Sequence, residues 1–206
     1  MLDRRRLLLA LPAAAAMPAL ARPTLAQPQA AADLRLAERS AGRPDAPVAV
    51  IEYFSLTCSH CATFHKETWP RVRQELVNTG RIRMVWRDFP LDGVALAAAQ
   101  VARSLPAERY EGFVTALLNS QDRWAFARGV NHADELAKIA ALAGMSRPDF
   151  DAAVNDESLR RGILEGRLRA ESEHRVNSTP TFVFGSRVVP GALSYDRFAT
   201  LVAEAG

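Results

Sequence analysis

Cys58 and Cys61 are the only thiols in the chain, and Ser59 and His60 separate them. Thiols at that spacing can close one small disulfide ring and reopen it. That is thiol–disulfide exchange, provided one of the two ionises easily. The flanking sequence supports this. An apolar, β-branched run, Val48 to Phe54, leads into the pair, and a segment of helical periodicity leaves it. A C-x-x-C delivered from a strand onto a helix start is a redox arrangement. Cys58 is then expected at an exposed tip, where unpaired N–H groups and the positive end of the helix dipole favour a thiolate. Other uses of the residues fit less well. A structural zinc site takes four ligands, and His60, His65, His132 and His174 are scattered. An inert C-x-x-C disulfide would brace little chain. A thiol site for a soft ion such as Cu(I), built from Cys58, Cys61 and His60, is a third use. The reading adopted requires no metal and no cofactor.

The elements that must hold this pair can be read from periodicity. Helical spacing over about residues 59–78 puts Cys61, Phe64, Thr68, Val72 and Leu76 on one face, so Cys61 points to the core. Pro70 should kink this helix without ending it, because the apolar period continues beyond it, and Gly80 closes it. Arg81 to Arg87 alternates as a strand. From Val94 to His174 only helices are predicted. Tyr110, Phe113, Val114, Leu117 and Leu118 form one stripe, and Leu136, Ile139 and Ala140 a second that Gly144 can cap. Ser146, Pro148 and Asp149 mark a helix start, and Leu159, Ile163 and Leu168 lie on a last long helix. Strand signals return at Thr181 to Phe184. Gly185-Ser186 is a glycine-first hairpin turn, Arg187 to Val189 the return strand, and Tyr195 to Ala205 a closing amphipathic helix. A further short strand is expected within Leu34 to Arg39. The order implies an α/β fold: one mixed central sheet covered by helices, its first half a right-handed β-α-β unit, with a helical block inserted in the middle.

Charge and the N-terminus bear on compartment. Arg4, Arg5 and Arg6 precede an apolar stretch, Leu7 to Leu20, that is too short to span a bilayer, and small residues follow, with Ala19-Leu20-Ala21 as one cleavage site. This is a signal-peptide pattern. Its arginines also resemble a twin-arginine signal, with Asp3 where Ser or Thr is usual. Residues 1–26 hold four Arg and one Asp, the whole of the chain's net +3, so the remainder carries 22 basic and 22 acidic side chains. The basic balance belongs to the signal and argues against nucleic-acid binding. Export by the twin-arginine or the general secretory route to a periplasm would place the thiols where disulfides persist.

The whole segment from about Ala46 to the C-terminus resembles the DsbA-like branch of the thioredoxin superfamily. Val50-Ile51-Glu52-Tyr53-Phe54-Ser55 leading to Cys58-Ser59-His60-Cys61 is similar to the family's active-site strand. Arg87-Asp88-Phe89-Pro90-Leu91 is similar to the segment after the next strand, and Val176-Asn177-Ser178-Thr179-Pro180-Thr181-Phe182 to the segment bearing the family's cis-proline. The resemblance implies a thioredoxin fold with an inserted helical domain. The expected organisation is a signal at 1–26, a lead-in at 27–45, the first half of the fold at 46–93, the insert at 94–174 and the second half at 175–206.

The resemblance also implies roles. Cys58 is the nucleophile, Cys61 resolves the mixed disulfide, and the His60 ring points to the Cys58 sulfur. Ser59 stands where the family often has proline, which leaves the strength of the oxidant open. A cis Thr179–Pro180 bond would turn the chain toward the disulfide and leave the Thr179 backbone to pair with an extended substrate. Ser59 and Thr179 are thus expected to touch substrate. Glu52 is an acid in an apolar strand six positions before Cys58. Buried there, it would hold a proton more readily and could exchange it with Cys61. His65, His132 and His174 are expected at the surface or at helix ends, and Trp69, Trp86 and Trp124 in the core. The expected partners are unfolded or reduced substrate proteins and a membrane redox protein that reoxidises the enzyme, with the chain itself a monomer. The alternative on the same fold is a disulfide isomerase or reductase. No N-terminal dimerisation domain is read in the sequence, which weighs against the isomerase.

Overall fold

The computed structural model describes residues 33–206; the expected signal at 1–26 lies outside them. Five strands form one sheet: β1 (Arg39–Ala41), β2 (Val48–Phe54), β3 (Ile82–Asp88), β4 (Thr181–Phe184) and β5 (Arg187–Pro190), in the spatial order β1-β3-β2-β4-β5. Only β2 and β3 run parallel, with Glu52 opposite Trp86; β4 returns antiparallel to β2 with Phe182 opposite Glu52. β2 is therefore central and feeds the C-x-x-C at its C-terminal end. Its Val50, Glu52 and Phe54 face one side of the sheet, and Ile51 and Tyr53 the other, as strand alternation requires. The second side is closed by a small cluster of Tyr53, Phe89, Ala170, Val176 and Val183.

The first side is covered by the helix that follows the cysteines. It starts as α1 (Ser59–Thr63), widens into a π-helical turn at Phe64–Thr68, continues as α2 (Trp69–Val72) and widens again at Arg73–Val77. Pro70 lies in the first turn of α2, directly after the first wide turn. Proline has no N–H and its ring crowds the carbonyl four residues back. The chain accommodates it by loosening the turn before it, and the helix goes on. Gly80 ends the segment with φ of 75°.

Between β3 and β4 lie α3 (Gly93–Ser104), α4 (Ala107–Asn119), α5 (Gln121–Trp124), α6 (His132–Leu142), α7 (Arg147–Val154) and α8 (Glu157–His174). Their starts are capped by side chains: Asp92, Asn131, Ser146 and Asp156 accept amide bonds at the heads of α3, α6, α7 and α8, each cap contributing about 1 kcal/mol. Gly144, with φ of 85°, follows α6. The helical block shares the core of the sheet. Leu117, Trp124, Phe150 and Leu159 belong to the same apolar core as Val50, Phe64 and Phe182. The hairpin turns at Gly185, whose φ is 58°, and α9 (Tyr195–Ala205) packs Phe198, Leu201 and Val202 back on the first side.

Two expectations need correcting here. Leu34–Leu36 is a 3-10 turn, and the edge strand begins only at Arg39. Leu168, placed on the apolar stripe of α8, is 62% exposed, whereas Leu159 and Ile163 are buried. No described helix is long and apolar enough to cross a membrane.

Candidate active site

Cys58 is the N-cap residue of α1, in extended conformation (φ −87°, ψ 120°), and its carbonyl accepts the first helical bond from the Ala62 amide at 3.1 Å. The turn before it is closed by the Cys58 amide donating to the Ser55 carbonyl at 3.1 Å. This turn is held from the helical block. Thr57 Oγ1 donates to Asp92 Oδ2 at 2.7 Å, while Asp92 Oδ1 caps α3 through the Ala95 amide at 2.7 Å. The Gln121 side-chain amide donates to the Leu56 carbonyl at 2.8 Å and to the Cys58 carbonyl at 3.0 Å.

On the other side stands the cis Thr179–Pro180 bond. It is reached after α8 ends at Arg175 in left-handed conformation, and it is fixed beyond by the Gly191 amide on the Pro180 carbonyl at 2.8 Å. The Cys58 Sγ–H donates to the Thr179 carbonyl at 3.2 Å. Thr179 therefore lies against Cys58, and Pro180 follows it across the cis bond. The Thr179 carbonyl is engaged only while the Cys58 sulfur carries its proton; the thiolate has no hydrogen to donate to it.

Cys58 is not at an exposed tip: it is 8% exposed, because the Thr179 loop covers it. Cys61 is fully buried. Their electrostatics diverge. The Cys58 thiol is lowered to about 5, chiefly by the Cys61 thiol donating to its thiolate, with further help from the Thr179 hydroxyl and the Cys61 and His60 amides, against the opposing cost of burial. Burial pushes Cys61 well up, and the neighbouring charges of Cys58 and Glu52 add to the rise. The pair thus holds one ready thiolate and one reluctant thiol, the asymmetry that an attacking and a resolving sulfur need.

Ser59 and His60 are exposed. The His60 backbone N–H contributes to lowering the Cys58 thiol, and among the described residues no hydrogen bond joins its ring to that sulfur. Glu52 is completely buried, as expected for an acid inside this strand. Its partner is His65, which was expected at the surface and is 2% exposed; Nε2 lies 3.2 and 3.1 Å from the two Glu52 oxygens. The correction has a simple cause. His65 is four residues after Cys61 and so shares its inward face, and a carboxyl waits there to satisfy the ring. His174 ends α8 and hydrogen-bonds the Tyr53 hydroxyl through Nδ1 at 2.9 Å. His132 begins α6 with Nδ1 2.8 Å from the Trp124 carbonyl. Trp69, Trp86 and Trp124 are core.

Sequence reasoning missed Gln121, Asp92 and His65. Asp92 ahead of Gly93 carried an N-cap signal, and His65 stands four residues after Cys61, a spacing that shares a helix face. Nothing local marked Gln121. Among the described residues no cluster of three or more His, Cys, Asp or Glu side chains is placed to hold a metal ion.

Residues 35–204 match the family model described as Thioredoxin. The chain is 28% identical over 165 residues to a Rickettsia felis protein provisionally named a protein-disulfide oxidoreductase; the match takes 80% of this chain and spans 58% of that relative's length. The crystal structure of α-DsbA1 from Wolbachia pipientis aligns with a TM-score of 0.75 at 28% identity, over 82% of this chain and 90% of that one. Oxidised BdbD from Bacillus subtilis aligns at 14% identity with a TM-score of 0.72, over 84% of this chain and 94% of the other, and shares the fold. The chain belongs to the thioredoxin family and is a DsbA-like member of that superfamily.

Proposed function

We propose that this chain is a thiol–disulfide oxidoreductase that exchanges the Cys58–Cys61 disulfide with substrate proteins and works mainly as an oxidant, introducing disulfides. The supporting observation is the Cys58 thiol lowered to about 5 beside a Cys61 thiol pushed well up. A thiolate stabilised in the dithiol form makes the enzyme's own disulfide easy to reduce, because closing the ring forfeits those interactions.

The exchange runs in two balanced steps. A substrate thiolate attacks Cys58 Sγ of the disulfide; the Cys58–Cys61 bond breaks, a substrate–Cys58 bond forms, and Cys61 leaves with the electron pair and takes a proton. A second substrate thiolate then attacks the substrate sulfur of the mixed disulfide, and Cys58 leaves as the stabilised thiolate. The substrate is oxidised by two electrons and the enzyme reduced by two. In this scheme Pro180 and the Thr179 carbonyl border the sulfur that substrate must approach, and Thr179 is released to an incoming backbone once the Cys58 Sγ–H is gone. Exposed Ser59 and His60 form the near rim. Glu52 serves as the proton acceptor and donor for Cys61.

The signal-like N-terminus supports export to a periplasm; in this reading the chain acts there as a monomer, and turnover requires a membrane redox partner that removes the two electrons. Equilibration of the purified chain with glutathione tests the direction. A potential well above that of the glutathione couple is the expected result; one below it makes the chain a reductant.

A further inference from the structure

A second titratable pair lies in the layer behind Cys61. Glu52 is fully buried, and the one side chain found to hydrogen-bond it among the described residues is His65, through Nε2 to both oxygens at 3.2 and 3.1 Å. His65 Nδ1 is buried and has no hydrogen-bond partner among the described residues. The rings of Phe54, Phe64 and Trp69 surround the imidazole at centroid separations of 6.2, 5.7 and 6.1 Å. The strands on either side present Trp86 and Phe182 at the level of Glu52. The titratable groups that face the pair are Cys61, one helical turn before His65, and Cys58 beyond it. No described Lys or Arg forms an ion pair with Glu52.

An ionised carboxylate in such an apolar layer is costly unless a donor satisfies it; without one it takes up a proton and stays neutral. A neutral carboxylic acid cannot accept a second proton. With Nε2 carrying its hydrogen, the imidazole donates to the carboxylate and leaves Nδ1 as a bare acceptor, the lesser loss for an orphaned ring nitrogen.

We propose that His65 is the positioning residue for the proton acceptor of Cys61: its Nε2–H holds the Glu52 carboxylate, and that carboxylate takes the Cys61 proton when Cys61 resolves a mixed disulfide. This rests on the exchange reading above. In the resolving step the Cys61 S–H bond breaks, its proton goes to Glu52, and the Cys61 thiolate attacks Cys58 Sγ. The Cys58–Cys61 bond forms and the partner sulfur leaves with the electron pair. In the opposite direction Glu52 returns the proton to the departing Cys61. His65 touches neither sulfur nor substrate and acts through Glu52 alone.

The test uses the reduced chain mixed with oxidised glutathione. The first glutathione is released as Cys58 forms the mixed disulfide, the second as Cys61 resolves it, and the second rate is followed from pH 6 to 8. The wild-type rate is expected to change little with pH. His65→Phe is expected to slow it about tenfold or more at pH 7 and to make it rise with pH, since the Cys61 proton must then leave to solvent. Glu52→Gln should give the same profile, and the double variant should be no slower than Glu52→Gln alone, as for groups acting as one unit.

His65→Phe with the wild-type rate and profile beside a slowed Glu52→Gln overturns the inference, and so do penalties that multiply in the double variant. Glu52→Gln with the wild-type profile overturns it at Glu52, while the exchange reading survives because the second glutathione is still released. A wild-type chain that releases none overturns the exchange reading itself. Should His65→Phe not fold, the imidazole nitrogen shifts of the reduced wild-type chain decide: a protonated Nε2 with a bare Nδ1 supports the assignment, and a bare Nε2 overturns it.

Discussion

Two acids are buried in this sheet, Glu52 on β2 and Asp88 at the end of β3, and they are treated differently. Asp88 is saturated. It accepts from Arg103 Nε and from the Tyr110 hydroxyl at 3.3 Å. Arg103 spends another nitrogen on the Arg35 and Ala37 carbonyls, at 2.8 and 3.1 Å, and Arg39 lies over the Tyr110 ring. The network ties β3, α3, α4 and the segment before β1 together, with a permanent guanidinium as the counter-charge. Glu52 has one titratable partner, and that partner keeps an orphaned nitrogen. A network with a fixed cation holds elements in place. A carboxyl that meets a single imidazole ties together only the strand and the helix that carry them. Burial is common to both acids; the partner is what differs.

The same isosteric change made in both places should separate them. Asp88→Asn leaves Arg103 buried without its counter-charge and is expected to cost about 3 kcal/mol of stability in urea unfolding, with the redox potential unmoved. A potential shift comparable to the loss of stability would undo the contrast.

The sulfur end gives the next largest effect. The Cys58 thiol is held at about 5 against roughly 8.5 for a free thiol. A lowered pKa adds stability that is complete above the unfolded value and is lost as pH falls through the folded one. Oxidised protein has no such group, so at pH 7 the reduced form should be the more stable by an amount of order 2 kcal/mol. The gap should shrink steadily between about pH 8.5 and 5 and close below that. Cys61, raised in the folded state, is neutral at pH 7 folded or unfolded and adds nothing there. Thermal melts of both redox forms across this range check the sign, and a gap that widens on acidification would be the wrong one.

Gln121 belongs with the structural side of the comparison although it touches the site. Gln121→Leu should cost about 1–2 kcal/mol, since it leaves the Leu56 carbonyl without its donor and the Cys58 carbonyl with the Ala62 amide alone. It should also slow alkylation of Cys58 by loosening the turn. Unchanged stability with unchanged reactivity would show that Asp92 and Thr57 hold the turn alone. Smallest of all, Glu52→Gln is expected to stay within about 1 kcal/mol of wild type, since a neutral amide of the same shape can still meet His65. A loss as large as that of Asp88→Asn would make the two acids equivalent and erase the distinction.

Much was written in local sequence. The strand Val48–Phe54, the hairpin around Gly185 and the closing helix Tyr195–Ala205 stand where their patterns put them, because period, turn chemistry and capping act over a few residues. The C-x-x-C at a helix start and the burial of Glu52 were legible for the same reason. What only the tertiary structure decided depended on distant segments meeting. Cys58 is covered because residue 179, far along the chain, folds over it. Gln121 reaches the cysteine turn across 63 residues, and no short-range pattern records such a contact. His65 lies between these cases. Its spacing from Cys61 pointed inward, yet its polar ring argued for the surface, and the conflict was resolved by Glu52 arriving from another element to satisfy the imidazole. A polar side chain goes inside only where a partner is waiting, and which partners wait is settled by the packing of the whole chain.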